Sequence, residues 1–297
     1  MLRNASAIAQ IPVLNSGLAQ ITFVSLKNLR FGKQRSQKET RFLRSSPVSS
    51  KIKTMSRVTI IIPTLNEATS LGRTLRLLQL LDPPASEVLV VDGGSEDETI
   101  AIAKAFDVRV VSSEKRGRSI QMNLGADAAT GDILCFLHAD TIVPDDVVAV
   151  IEQTLADKTI ACGGFISLMT GSMTTRWGIS LHNYLKTYYA PLIFKPRLFF
   201  KGLRLLFGDQ VMFCRRSDFW ECGGFDESLP IMEEADLCLK LTQRGRICQV
   251  NRIVQSSDRR VARWGSFKAT AIYLYIGILW GLGVPASYLK KFYQDMR

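Results

Sequence analysis

The stretch Ile133-Leu134-Cys135-Phe136-Leu137-His138-Ala139-Asp140 decides how this chain of 297 residues folds. Five consecutive apolar residues follow the turn-forming Thr130-Gly131-Asp132, a pattern typical of a strand buried on both faces. Residues two apart share one face of an extended chain, so His138 and Asp140 are predicted to point the same way beyond the strand. In an open parallel sheet, that carboxyl end is where ligands bind.

Strands alternate with helices through the first half of the chain. Further strands are predicted at Val58–Ile62, Val88–Val91, Val108–Val111, Cys162–Leu168 and Val211–Cys214. Pro63 is expected to end the first strand, and Ser95 with Glu98 forms a capping box that opens a helix. This alternation predicts an α/β fold with a mostly parallel sheet. Neither a Gly-x-Gly-x-x-Gly fingerprint nor a Walker loop follows the first strand, which disfavours dehydrogenases and NTPases.

The formal net charge of +11 is concentrated at the start of the chain. Residues 1–57 contain eleven Lys and Arg residues and one acid, Glu39, which leaves the remainder nearly neutral. The basic pI therefore indicates no nucleic-acid partner. Residues 1–56 are also rich in serine and lack any periodic pattern, which is typical of an organelle transit peptide. We expect a plastid location first and a mitochondrial one second; a disordered basic tail is the alternative.

The C-terminal region, 266–297, contains the apolar segment Ala269–Leu289 between Lys268 and Lys290. Its length would suffice for a membrane span. Its glycines and Pro285 instead favour an apolar helix that packs on the domain or lies at a membrane surface. The six cysteines show no CxxC spacing, so buried reduced thiols are expected.

Polar side chains follow three of the predicted strands. They are Thr64, Asn66 and Glu67 after the first strand, Asp92 after the second, and His138 and Asp140 after the fourth. Each has an ordinary structural explanation by itself, such as a turn or a helix cap, but their meeting at one edge favours a binding site. Asp140 is suited to Mg²⁺ or Mn²⁺ bridging two phosphates. The neighbouring imidazole of His138 favours Mn²⁺.

Arg116 and Arg118 precede a helix that carries Asn123. Guanidinium groups near a helix N-terminus favour a pyrophosphate. A solvated charge cluster is an equally good explanation of these two arginines.

Three acids, Glu233, Glu234 and Asp236, lie at the predicted start of another helix. Acids are well tolerated there, so a surface cluster is the default. Like charges this close raise the pKa of one carboxyl group, which suits a general base. The preceding Gly223-Gly224-Phe225 favours this second explanation.

Taken in order, these segments resemble family 2 glycosyltransferases across roughly residues 57–265. The resemblance rests on Ile61–Glu67, Val90–Ser95, Phe136–Asp140, Gly223–Phe225 and Met232–Glu234. Gly117–Asn123, Gly208–Gln210 and Arg259–Arg260 are similar to a mostly bacterial subgroup. The family resemblance implies a GT-A fold, with a Rossmann-like sheet covered by helices on both faces, over residues 57–265. It further implies a nucleotide-diphosphate sugar donor, a divalent metal and inversion at the anomeric carbon.

The resemblance also implies roles for individual residues. The nucleotide-sugar site would comprise Pro63, Thr64, Asn66, Glu67, Asp92, Arg116, Arg118, Asn123, Ala139, Asp209 and Gln210. Asp140, with His138, would bind the metal. The catalytic group would be Glu233, Glu234 and Asp236, with Glu234 deprotonating the acceptor hydroxyl.

Two positions depart from the family pattern. His138 replaces the first acid of the Asp-x-Asp triplet, and Glu234 replaces an aspartate. These departures favour a rival hypothesis, a non-catalytic protein that binds nucleotide sugars. A nucleotidyltransferase is disfavoured because no Gly-rich loop follows the first strand. The family analogy favours a uridine over a guanosine donor. The aromatic and basic stretch 184–207 and the apolar C-terminus favour a lipid-like acceptor or a membrane surface; packing in the core is an equally good explanation of both segments.

Overall fold

The computed structural model describes residues 56–171 and 174–294, without the side chains of Arg260, Tyr293 and Gln294. All of the predicted leader except Ser56 therefore lies outside the described residues. The elements in chain order are β1 Val58–Thr64, α1 Ala68–Leu78, β2 Glu87–Asp92, α2 Thr99–Ala105, β3 Arg109–Ser112, α3 Arg118–Ala128, β4 Ile133–Phe136, α4 Val147–Ala156, β5 Ile160–Thr170, α5 Trp177–Phe194, α6 Pro196–Phe200, the 3-10 helix Gly208–Gln210, β6 Met212–Arg215, α7 Arg216–Glu221, α8 Glu233–Leu241, β7 Arg246–Ser257, α9 Arg259–Trp264, α10 Ser266–Gly281 and α11 Ala286–Gln294.

Seven strands form one mixed sheet in the order β3-β2-β1-β4-β6-β5-β7. β6 runs antiparallel to β4 and β5, and the other pairings are parallel. The predicted α/β fold with a mostly parallel sheet is confirmed. The order reverses direction between β1 and β4, and such a switch point opens a crevice at the carboxyl ends of the strands.

Two apolar cores lie on opposite faces of the sheet, because side chains along a strand alternate between faces. Ile60 and Ile62 of β1 pack into one core, and Ile61 packs into the other. The decisive strand β4 is buried along its whole length, as its apolar run predicts. Of the six cysteines, four are buried and two are half-buried, and all are free thiols, which confirms that prediction.

Two local predictions are wrong. β1 continues through Pro63 to Thr64, because its pairing with β4 has already ended at Ile61, so Pro63 interrupts no ladder on that side. Helix α2 begins at Thr99 rather than near Ser95, and the Asp97 carboxylate accepts from its first amide. Ser95 instead donates its hydroxyl to Asp92.

The apolar C-terminal segment forms two helices, α10 and α11, rather than one. The break falls at Leu282–Pro285, where Gly283 has a φ of 90° and Pro285 cannot continue the preceding helix. Within residues 56–171 and 174–294, no helix combines the length and the apolar composition that a membrane crossing needs.

Candidate active site

Asp92 organises the loop that follows β2. It lies opposite Thr64 in the parallel register, and its carboxylate accepts from the Thr64 hydroxyl at 3.1 Å. The same carboxylate accepts from the amides of Gly94 at 2.9 Å and Ser95 at 2.8 Å. Asp92 is 1 % exposed, so its carboxylate is buried and holds its own loop against Thr64 at the end of β1.

Asn66 ties the loop after β1 to the loop after β2. Its backbone adopts a left-handed φ of 56°, a conformation that asparagine tolerates. Its amide oxygen accepts from the Glu96 amide at 2.8 Å, and its own backbone amide donates to the Ser95 hydroxyl at 2.9 Å. The two loops of the predicted nucleoside site are therefore one connected unit.

Gln121 of α3 supports these loops and is absent from the predicted site. It is buried, and its side-chain amide donates to the backbone carbonyls of Thr64 at 2.7 Å and Val91 at 2.8 Å. It thus clamps the ends of β1 and β2 from below. Its place in the segment Gly117–Asn123 was the sequence signal that could have identified it.

Asp140 and Glu67 meet at one guanidinium group, that of Arg259 at the start of α9. Nη2 of Arg259 donates to Asp140 Oδ2 at 2.7 Å and to Glu67 Oε2 at 2.8 Å. The two carboxylates belong to loops after β4 and β1, so the strand ends do bring them together as predicted. Their attraction raises the pKa of Arg259, although partial burial opposes its charge.

His138 lies beyond the end of β4, in the turn that follows the strand. β4 ends at Phe136, and the Thr141 amide closes a turn on the His138 carbonyl at 3.1 Å. The alternation used to predict a shared face for His138 and Asp140 therefore does not apply to them. The imidazole instead lies beside Gly208 and Glu234, with which it lines a small pocket at the ends of β1 and β4.

Glu233 and Glu234 are both buried at the first turn of α8. Arg118 Nη1 lies 3.7 Å from an oxygen of each. Burial opposes the charge of Arg118, but nearby carboxylates, Glu234 first, raise its pKa. Asp140 and Glu67 are among those carboxylates, so Arg118 interacts electrostatically with the acid pair and with the two acids that Arg259 binds.

Glu234 has a strongly raised pKa. Burial, followed by repulsion from Glu233, raises its pKa to about 8, against the opposing attraction of Arg118. Its Oε1 is buried and accepts no hydrogen bond from the described residues. The preceding residue, Met232, has a φ of 68°, a strained conformation of the kind that clusters at functional sites. A carboxyl group held this way is suited to taking a proton.

Two residues of the predicted site support the loop before α8. Both amide atoms of Asn123 bind the Phe225 backbone, at 2.9 and 3.0 Å. Asp236 pairs with Lys240 at 2.8 Å, and Lys240 donates to the Gly224 carbonyl at 3.1 Å. Asp236 lies two residues after Glu234, on another side of the helix. The structure therefore places Asn123 and Asp236 as positioning residues for Gly223–Phe225.

Four other predicted residues have separate partners. Arg116 is exposed and pairs with Glu96 at 3.2 Å, apart from the acid pair that Arg118 contacts. Gln210 is buried and donates to Thr187 of α5 at 3.1 Å. Its neighbour Asp209 accepts from Asn183 at 3.2 Å. The carbonyl of Ala139 accepts from Thr74 at 2.7 Å, which fixes the turn before Asp140.

Within the described residues, no group of three or more His, Cys, Asp and Glu side chains is arranged around one point as metal ligands are. The donor chemistry nevertheless suits a divalent ion. Asp140 and Glu67 direct oxygens at the same nitrogen, Nη2, of the Arg259 guanidinium. Carboxylate oxygens are the ligands that Mg²⁺ and Mn²⁺ prefer.

Comparison with known proteins identifies the family. The sequence profile described as glycosyl transferase family 2 matches residues 59–223, more than half of the chain. The chain belongs to glycosyl transferase family 2. This confirms the resemblance seen in the sequence; the mostly bacterial subgroup stays a prediction.

Relatives share parts of this family-2 chain. An uncharacterized glycosyltransferase of Mycobacterium tuberculosis is 27 % identical over 190 residues, which are 62 % of this chain and 68 % of the relative. Glycosyltransferase AglE of Haloferax volcanii is 36 % identical over 95 residues, which are 29 % of this chain and 31 % of AglE. The chain therefore spans about a third of the length of AglE.

Solved structures share the fold. The mannosyltransferase PcManGT from Pyrobaculum calidifontis, in complex with GDP-Man and Mn²⁺, superposes with a TM-score of 0.60 at 20 % identity. That match covers 77 % of this chain and 64 % of the mannosyltransferase. Glucosyl-3-phosphoglycerate synthase from M. tuberculosis, with Mn²⁺, UDP and phosphoglyceric acid, gives 0.57 at 21 %, covering 77 % and 80 %. At these identities the likeness shows the GT-A-like α/β fold.

Proposed function

We propose that the protein is an inverting glycosyltransferase that moves a sugar from a nucleotide-diphosphate donor to an acceptor hydroxyl. The observation that carries this proposal is Glu234: a buried carboxyl group with a raised pKa, at the cavity where β1 and β4 end. In this proposal Glu234 takes the acceptor proton as the hydroxyl attacks the anomeric carbon from the face opposite the leaving group. The family membership supports the reaction class.

Donor binding is assigned to the loops after β1 and β2. Asp92 and Asn66 hold these loops in one arrangement, so the loops are organised before a nucleoside arrives. Arg118, beside the acid pair, supplies positive charge that suits a diphosphate. We propose a uridine donor ahead of a guanosine donor on family analogy; the solved relatives include complexes with each nucleotide.

A divalent ion, Mn²⁺ or Mg²⁺, would be held by the carboxylate of Asp140. When bound, such an ion neutralises the departing nucleoside diphosphate. Among the described residues, Arg259 pairs with Asp140 and Arg118 lies near Glu233, so both supply positive charge to the acids at this edge. The sequence also predicts His138 as a ligand, but its imidazole lies beside Gly208 and Glu234, so the proposed metal site rests on Asp140.

The test compares Asp140→Ala with Glu234→Gln after a thermal-stabilisation screen of nucleotide sugars with Mn²⁺. A ligand that binds the folded form stabilises it increasingly as its concentration exceeds its Kd. We expect both variants to lose sugar transfer and donor hydrolysis, whereas Glu234→Gln keeps stabilisation by the donor. If neither change alters turnover, Glu234 and Asp140 are not the reactive groups. If the wild type binds a nucleotide sugar but neither transfers nor hydrolyses it, the non-catalytic hypothesis is the correct one.

The leader residues 1–56 support a proposed plastid location through their composition. Fusing them to a fluorescent protein should direct it to plastids. Targeting to mitochondria would select the second choice, and a diffuse signal would identify a basic tail with no targeting role.

A further inference from the structure

A groove that is open to solvent lies between α5 and α10. Most of its walls are apolar: Ala190, Pro191 and Phe194 come from α5, and Leu274, Ile278 and Trp280 from α10. Two lysines, Lys186 and Lys195, also line it. Transfer of a hydrocarbon chain from water into such mostly apolar surroundings lowers the free energy. The same two helices carry exposed apolar side chains, among them Ile193 of α5 and Leu274 and Ile278 of α10.

The inner end of the groove adjoins the proposed catalytic base. Phe207 and Met232 line it there. Phe207 precedes Gly208, and the space above the Gly208 Cα is bounded by Glu234 Oε1 and His138 Nε2. Met232 directly precedes Glu233 and Glu234. Two residues that line the groove are therefore adjacent in sequence to Gly208 and to the acid pair, which contains the carboxylate that would deprotonate an acceptor.

Lys186 is the cation at this inner end. Its Nζ lies 3.7 Å from the centre of the Phe207 ring. Burial lowers the pKa of Lys186, whereas the nearby Asp209 and Glu234 raise it. A hydrogen-bond donor that lines a mostly apolar groove, near a general base, suits an oxygen-bearing head group.

We propose that this groove binds the single hydrocarbon chain of an amphiphilic acceptor and that Lys186 binds an oxygen of its head group. This inference rests on the proposed glycosyltransferase function and names its acceptor class. The apolar walls match the chain, Lys186 matches the head, and the position of Glu234 places the acceptor hydroxyl at the base. A hydrophilic sugar or a soluble phosphorylated acid would leave the walls of the groove uncovered.

Gly277 offers a direct test. It lines the groove from α10, and a Cβ built on it meets no other atom within 4 Å. Gly277→Leu should therefore fill the groove without strain, and it also improves helix propensity. The matched control is Gly178→Leu in α5, where an added Cβ likewise meets nothing within 4 Å and the residue lies outside the groove.

The measurement is fluorescence binding of dansyl-undecanoic acid to the full chain, with dodecanol and butanol as competitors. Wild type and Gly178→Leu should bind the probe and release it to dodecanol far more readily than to butanol. Gly277→Leu should bind about tenfold more weakly, since it excludes roughly two methylene groups from the groove. Equal binding by Gly277→Leu and wild type, or equal competition by the two alcohols, would overturn the proposal.

Three further readouts separate this proposal from its alternatives. Stabilisation by UDP with Mn²⁺ should be the same in both leucine variants, and its absence in wild type would count against the proposed function alone. Binding to neutral vesicles without binding of the probe would show that the groove is part of a membrane surface, and the proposal would be wrong. Wild type should be competed more strongly by dodecyl phosphate than by dodecanol, because Lys186 would bind a phosphate oxygen. Lys186→Met should abolish this preference; an unchanged preference would show that Lys186 does not bind the head group.

Discussion

Arg259 Nη2 and Asp140 Oδ2 are joined by a hydrogen bond of 2.7 Å, although the two residues are 119 positions apart in the chain. The same nitrogen binds Glu67 at 2.8 Å. The contact fixes α9, which follows the last strand, to the loops after β4 and β1. It also places a permanent cation on the carboxylate that the family pattern assigns to a metal.

Removing the Arg259 charge should therefore change metal binding in the free protein. Arg259→Gln leaves Asp140 and Glu67 without their shared counter-ion, so we expect Mn²⁺ to bind about two- to fivefold more tightly, the worth of a half-exposed ion pair. Isothermal titration with Mn²⁺ measures this. The matched control is Arg252→Gln. Arg252 lies on β7 and forms an exposed ion pair with Asp146, so its loss should leave the affinity for Mn²⁺ unchanged. Weaker binding in Arg259→Gln would show that Arg259 holds Asp140 in place for the ion.

The protonation of Glu234 should set the pH dependence of transfer. A general base works in its deprotonated form, and the pKa of Glu234 is raised to about 8. We expect kcat/KM in the free enzyme to increase with pH up to about 8 and then level off. Glu234→Gln should lose about a hundred- to ten-thousand-fold in kcat, the usual worth of general base catalysis. A kcat/KM that is already constant from pH 6 upward in the wild type would contradict this assignment.

Folding stability should respond to the same carboxyl group. Its pKa is higher in the folded protein than the ordinary value of 4.5 in the unfolded chain. The folded state therefore binds more protons, and this stabilising contribution is fully present below pH 4.5 and is lost as the pH rises through about 8. Urea unfolding across that window should show a smaller decline for Glu234→Gln than for wild type. Glu114→Gln, an exposed loop acid, should follow the wild-type curve.

How much of this the sequence could predict depends on how local each feature is. The buried strand β4 and the meeting of Asp140 with Glu67 follow from the apolar run and the geometry of a parallel sheet. The role of Arg259 could not be predicted in this way, because its partners are set by how the chain returns after β7. The turn at His138 replaced the strand geometry on which its predicted direction depended.

Gly208 leaves room for two functional side chains. A Cβ at this position would lie 2.3 Å from His138 Nε2 and 2.6 Å from Glu234 Oε1. Both are the ends of side chains, so we expect Gly208→Ala to fold and to displace the imidazole and the carboxylate. A displacement of about 1 Å costs roughly a hundredfold in turnover. Donor hydrolysis and urea unfolding, with Gly178→Ala as control, measure the two effects; unchanged turnover would show that Glu234 needs no exact placement.

The clamp made by Gln121 gives the last prediction. Its amide supplies two buried hydrogen bonds to the carbonyls of Thr64 and Val91, at 2.7 and 2.8 Å. Gln121→Met keeps the volume but removes both donors, so we expect a loss of about 1–3 kcal/mol in the free energy of unfolding. Nucleotide affinity should fall as well, because the loops at the ends of β1 and β2 lose their support. Gln243→Met, at an exposed position after α8, should change the unfolding free energy by less than about 0.5 kcal/mol. If Gln121→Met lowers stability while nucleotide binding is unchanged, the clamp serves the fold and does not position the donor site.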